Sequence, residues 1–219
     1  MPKTYVYEPP TDPWLTVLHA DERLLVLDKP SGLLTVPGKD PALADSLEAR
    51  VREKWPKATL VHRLDKDTSG IVLMALDKKA LGDLGQQFEK RRTKKRYIAR
   101  VWGRMAEDHG LVDMPLATDW ENKPRQRVDW EFGRPSQTEW HVLEREERAT
   151  RVALNPLTGR THQLRVHMLA IGHPMLGDQF YATGEALAAA DRLQLHAEML
   201  TFFHPEDGRE MTFTSPAPF

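Results

Sequence analysis

The sequence predicts an α+β fold built on a mixed, largely antiparallel sheet flanked by helices and loops. Short apolar or alternating runs of strand length outnumber helical stripes, and the two do not follow one another in strict alternation. No internal repeat, low-complexity tract or linker interrupts the chain. A length of 219 residues with 40% hydrophobic and 29% charged residues suits one globular domain. We therefore expect an extended arm over residues 1–14, rich in proline, and a single domain over residues 15–219.

Leu24 to Leu27 form a short apolar strand that ends at the turn signal Lys29-Pro30-Ser31-Gly32. Ser46 is placed to cap a helix reaching Lys54, with Leu47 and Val51 on one face. Ser69 to Leu76 reads as a buried strand. Lys78 to Arg91 reads as a helix whose stripe is Leu81, Leu84 and Phe88. Strands follow at Tyr97–Trp102, Gln126–Phe132, Thr138–Leu143 and Arg151–Leu154. Gly159 precedes a helix over Thr161–Ile171, with Leu164, Met168 and Ile171 sharing a face. Strands over Leu193–Phe203 and Glu210–Phe213 close the chain.

Composition excludes several function classes. Without cysteine there are no disulfides, no thiolate catalysis and no cysteine zinc site. The apolar run from Ile71 to Leu76 is far too short to span a bilayer, and the first residues carry no charged-then-apolar signal. A cytoplasmic protein is expected. The net charge of -1 argues against a nucleic-acid binder only if charge is taken as a sum. Its distribution says otherwise. Lys90, Arg91, Arg92, Lys94, Lys95 and Arg96 are clustered, and Lys123, Arg125 and Arg127 lie in a loop between Trp120 and Trp130. The bland alternative for each cluster is a solvated helix end or loop.

Two segments carry candidate chemistry. His62-Arg63-Leu64-Asp65-Lys66-Asp67-Thr68-Ser69-Gly70 precedes the buried strand, so Asp65 sits on a loop anchored to the core, where a carboxylate can serve as nucleophile or base. The alternative is a structural ion pair. Thr158-Gly159-Arg160-Thr161-His162-Gln163-Leu164-Arg165 enters a helix through a glycine that permits unusual backbone angles. Arg165, one turn inside and beside Leu164, would need a carboxylate partner if buried; Asp65 is a candidate, and a solvated surface helix is the alternative. Lys94-Lys95-Arg96-Tyr97 sets cations beside a ring, a combination suited to phosphate and base, or else a core tyrosine. Gly172 to Tyr181 reads as a tight structural connection. His162 and His167 are five apart, about 140° around a helix, and no metal motif appears, so no metal site is expected.

Taken in order, these segments resemble the RluA-type pseudouridine synthases. His62-Arg63-Leu64-Asp65 with Thr68-Ser69-Gly70 is similar to the signature around that family's catalytic aspartate, and Leu157 to His167 to its second signature. Lys29-Pro30-Ser31-Gly32, the Tyr97 strand, His173-Pro174 with Gly177-Asp178, and Arg192 to Ala197 extend the likeness over most of the chain. The resemblance implies a pseudouridine synthase catalytic domain that detaches uracil from C1′ of an RNA uridine, turns it and rejoins it through carbon 5, with no cofactor. Asp65 would be the nucleophile, Arg165 its charge partner, Tyr97 a stacking residue at the base, and Leu164 part of the pocket wall. His62, Arg63, Lys95, Arg96, Lys123, Arg125 and Arg127 are the candidate RNA-binding residues, with Arg63 filling the space left by a flipped base. The short chain most resembles a monomeric member acting on stem-loops of both large-subunit rRNA and the tRNA anticodon arm, with no membrane or obligate protein partner. The resemblance departs at Gly32 to Pro37, which lacks a histidine common in the family. Two other classes stay open: a carboxylate nucleoside or glycoside hydrolase, with Asp67 as the paired acid, and a non-catalytic RNA-binding assembly factor.

Overall fold

The computed structural model describes residues 7–219. The chain packs as two compact units. The first takes the described residues up to Thr93 together with Thr201–Ser215, and the second takes Lys94–Leu200 with Pro216–Phe219.

In the first unit, β1 (Thr16–Ala20) pairs antiparallel with β2 (Leu24–Lys29), and β2 pairs with β4 (Ser69–Ala75). The short β3 (Thr59–Leu60) runs beside one end of β4. Between these strands lies α1 (Leu47–Lys54), and α2 (Lys78–Glu89) follows β4 and packs against it. Leu24 to Leu27 and Val72 to Ala75 are all 0% exposed. Burial on both faces explains why these strands read as unbroken apolar runs rather than alternating ones. Each of these valine, leucine and methionine side chains contributes about 1.5–3 kcal/mol by leaving water.

The helix expected at Leu47–Lys54 is present, with Ser46 Oγ accepting the Ala49 amide as cap. The helix from Lys78 stops at Glu89 rather than Arg91, because Arg91 takes a left-handed conformation at φ 56°. Its buried face is Ala80, Leu84 and Gln87, and the Gln87 side chain bonds both backbone groups of Phe203. The described residues ahead of β1 have no regular secondary structure, bend at positions 12–14 and are held down. The Tyr7 hydroxyl donates to the Asp45 carbonyl and accepts the Leu34 amide, and Trp14 lies 4.0 Å from the guanidinium of buried Arg50.

The second unit carries β5 (Lys94–Trp102), β6 (His109–Asp113), a hairpin of β7 (Leu116–Thr118) and β8 (Gln126–Val128), then β9 (Gln137–Arg145) and β10 (Ala149–Pro156). Antiparallel pairing gives the order β5-β10-β9-β6. Next come α3 (Gln163–Ala170) and a short α4 (Gly184–Ala188). In β11 (Leu195–Phe203) the chain passes back to the first unit, where β12 (Glu210–Thr214) pairs with it. The expected strand Gln126–Phe132 ends at Val128. Asp129 breaks it, since its Oδ1 accepts the amides of Glu131 and Phe132 and bends the chain into a turn. The core of this unit gathers Ala99 and Val101 of β5, Trp140 of β9, Val152 and Leu154 of β10, and Leu164 and Met168 of α3.

Candidate functional site

The loop bearing Asp65 is fixed through its backbone. Thr35 Oγ1 donates to the Leu64 carbonyl at 2.6 Å and accepts the Leu64 amide. The Gly32 amide and the Lys29 ammonium both donate to the Lys66 carbonyl, and Ser31 Oγ donates to the Asp67 carbonyl. Lys29 is 0% exposed, and its ammonium also donates to the Pro30 and Leu33 carbonyls. Hydrogen bonds to a charged group contribute about 1.5–3 kcal/mol each, so this turn binds the loop tightly on both sides of Asp65. From the other side, His62 Nε2 accepts the Leu73 amide at 3.1 Å, and its ring stacks on Phe88 at 4.9 Å. In this structure the His62 side chain thus anchors the loop to β4. Asp65 itself is half-buried, and neighbouring Arg63 is exposed. Asp67, the second acid that a hydrolase would call on, is paired with Lys66 at 3.2 Å.

In the second unit α3 is buried on nearly every side, from Gln163 to Met168, so a solvated surface helix is ruled out. Its entry differs from expectation. Gly159 is not in the left-handed region and a Cβ there would meet nothing; His162 is the residue with φ 53°. The helix therefore starts at Gln163. The Gln163 side chain holds the entry in place by accepting from Thr158 Oγ1 and the Arg160 amide and donating to the Gln137 carbonyl and Thr138 Oγ1.

Arg165 is 2% exposed and has the carboxylate that its burial demands, in Asp178. Nε donates to Asp178 Oδ2 at 2.8 Å and Nη2 to Oδ1 at 2.6 Å, while Asp178 is 0% exposed. Two parallel bonds of this kind fix the plane of the guanidinium as well as its position. Oδ1 also accepts the Phe180 amide at 2.9 Å, and the rings of Phe180 and Tyr181 lie 5.2 and 5.1 Å from the guanidinium carbon. Gly177 makes this approach possible. It has φ 68°, and a Cβ there would sit 2.2 Å from the Arg192 carbonyl oxygen. The Gly172–Tyr181 segment is therefore more than a tight connection: it supplies the counter-charge of Arg165. The sequence signal for it was the Gly177-Asp178 pair itself, which is equally the signal of a turn.

Tyr97 on β5 is half-buried and packs against the core cluster that includes Leu164. Lys95 and Arg96 share its strand, and Arg96 Nε meets Glu198 at 2.6 Å, so its charge is already met within the protein. Arg127 pairs likewise with Asp129 at 3.0 Å, whereas Lys123 and Arg125 are exposed. The hairpin of β7 and β8 is tied to the entry of α3. The Tyr181 hydroxyl accepts the Gln126 amide at 2.8 Å and lies 2.6 Å from His162 Nδ1.

Two residues along α3 from Arg165, His167 is 0% exposed, with Nε2 donating to the Met114 carbonyl and Nδ1 accepting from Thr138 Oγ1. Burial holds its imidazole below the usual histidine range, against smaller opposing pulls from the Met114 carbonyl and the charge of Asp113. The unfolded chain titrates near the ordinary value of about 6.5. Stability is thus full above that pH and falls as pH drops through the folded-state value. The urea midpoint should decrease from pH 7.5 to pH 5.5 and change less in His167→Gln; a midpoint that rises on acidification would contradict this. Among the described residues, no group of histidine, aspartate and glutamate is arranged to hold a metal ion. No described helix is long and apolar enough to cross a membrane.

The first unit thus carries a carboxylate on a braced loop, and the second a buried arginine on an internal helix. Residues 23–170 match the sequence profile of the RNA pseudouridylate synthase family, and the chain belongs to that family. Among individual relatives, it is 55% identical over 97% of its length to the dual-specificity RNA pseudouridine synthase RluA of Salmonella typhi, covering 98% of that protein. It is 51% identical, with the same coverage, to the protein of the same description from Pasteurella multocida. The solved structure of human RNA pseudouridylate synthase domain containing 1 superposes with a TM-score of 0.78 at 30% identity, covering 100% of this chain and 87% of that one.

Proposed function

We propose that this pseudouridine synthase acts on two RNA classes, converting a uridine in a stem-loop of large-subunit rRNA and one in the tRNA anticodon arm. The observation that carries this reading is the extent of the similarity to relatives described as dual-specificity, which runs almost end to end in both chains.

In the proposed reaction the Asp65 carboxylate is the nucleophile, attacking either C1′ of the sugar or the base. The C1′–N1 bond breaks and the uracil turns; C1′ then bonds to carbon 5 as the bond to Asp65 breaks and frees the carboxylate, and the proton on carbon 5 leaves while N1 gains one. Arg165 provides the cationic partner of Asp65, and the rigidity of its guanidinium supports that role because a fixed charge needs no rearrangement during reaction. Tyr97 stacks on the target base beside the wall formed by Leu164. The target uridine must leave its stack at a cost of a few kcal/mol. Exposed Arg63 is suited to fill the vacated space, while His62 sets the loop. Lys95, Arg96, Lys123, Arg125 and Arg127 are assigned to the RNA backbone, with Arg96 and Arg127 exchanging a carboxylate for a phosphate. The enzyme is proposed to work as a cytoplasmic monomer without cofactor.

Carbodiimide labelling with primer extension on both RNAs, after incubation with the protein, tests the dual assignment. A single new stop in each RNA is the expected result. Conversion of one RNA class alone would overturn it.

A further inference from the structure

Trp120, Trp130 and Phe132 are 72%, 74% and 76% exposed, the most exposed large hydrophobic side chains among the described residues. All lie on or beside the hairpin of β7 and β8. Large apolar rings held in water at three places on one small element mark an interaction surface rather than incomplete folding. Their backbone is built to keep them there. The Asp119 amide donates to the Arg125 carbonyl and closes the tip that bears Trp120. At the base, Asp129 accepts the amides of Glu131 and Phe132, and the Gly133 amide returns to the Asp129 carbonyl. A Cβ on Gly133 would sit 2.1 Å from that carbonyl oxygen, so this turn requires glycine.

The charges around these rings suit RNA. The Lys123 ammonium lies 3.7 Å from the Trp120 ring centre. Arg125 and Arg134 are exposed and have no carboxylate partner among the described residues. The neighbouring acids Asp119 and Asp129 are turned inward, onto Asn122 and onto Arg127 and the turn amides, which leaves Glu121 and Glu131 as the exposed carboxylates. The element is also connected to the helix that carries Arg165, through the Tyr181 hydroxyl between Gln126 and His162.

We propose that Trp120, Trp130 and Phe132 form a base-stacking surface for unpaired nucleotides of the substrate RNA, with Lys123, Arg125 and Arg134 on the adjoining phosphates. This rests on the reading of RNA as substrate and adds which side chains grip it. Every base presents a face to stack on, so the surface adds affinity with little sequence preference. It would serve an enzyme acting on more than one RNA.

The test is equilibrium binding of the full chain to a fluorescein-labelled tRNA anticodon stem-loop over a range of salt, with turnover of the same RNA followed in parallel. Trp120→Ala, Trp130→Ala and Phe132→Ala should each weaken binding by about 5- to 100-fold and leave the salt slope unchanged. Lys123→Ala should lower the slope by about one ion. Trp130→Phe should retain most of the affinity that Trp130→Leu loses, since only the former can stack. If wild type converts the RNA and the alanine variants bind it as tightly, the stacking surface is overturned and the substrate reading stands. A wild type that converts no RNA overturns the substrate reading. Sedimentation showing a wild-type dimer that the variants dissolve would assign the rings to a second copy of the chain and overturn the proposal.

Discussion

Asp65→Ala and Asp65→Asn should abolish pseudouridine formation while leaving the fold and RNA binding nearly intact. The contacts that hold the loop run through the backbone of Leu64, Lys66 and Asp67 to Lys29, Ser31, Gly32 and Thr35. None of these requires the Asp65 side chain, so its removal keeps these backbone contacts. What disappears is the proposed nucleophile, and loss of a nucleophile lowers kcat by on the order of 10⁴ or more. Turnover of the stem-loop substrate, measured beside its dissociation constant, separates the two effects. Turnover within tenfold of wild type would remove Asp65 from the chemistry.

Asp178→Ala should be far more destabilising than Asp65→Ala and should also suppress turnover. It strands the Arg165 guanidinium, 2% exposed, without the carboxylate that holds Nε and Nη2. It also removes the acceptor of the Phe180 amide. Breaking a buried pair from one side costs about 3–5 kcal/mol, a large share of the stability of a typical domain. Asp178→Asn keeps the shape and one oxygen acceptor, so it should fold at low temperature with a smaller loss. In that folded sample a role in holding Arg165 predicts a fall in kcat at saturating RNA, with RNA affinity changed much less. Urea denaturation and single-turnover kinetics read the two effects. Full kcat in folded Asp178→Asn would leave Asp178 with a purely structural part.

The elements legible in the sequence were those whose signal is local. Leu24–Leu27 and Ile71–Ala75 stood out as apolar runs because both faces are buried, and Ser46 marked α1 through its own side chain. Where a side chain acts on distant or unexpected backbone, sequence and structure part. Asp129 cut short a strand that its neighbours favoured, and His162 rather than Gly159 took the left-handed angle, shifting the start of α3. In the candidate site, Asp65, Tyr97 and Arg165 were visible through their flanking motifs. The pairing of Asp178 with Arg165 was not, because the two lie 13 positions apart and the glycines around Asp178 read only as a turn. The engagement of Arg96 by Glu198, 102 positions away, leaves no local trace at all.

Catalysis of uridine isomerisation through Asp65 is tested most directly by tritium release from transcripts labelled at carbon 5 of uridine. Wild type and Asp65→Asn are compared, with the products also assayed for free uracil. Release by wild type without free uracil, and none by the variant, is the predicted result. Free uracil, or equal release by Asp65→Asn, would contradict it.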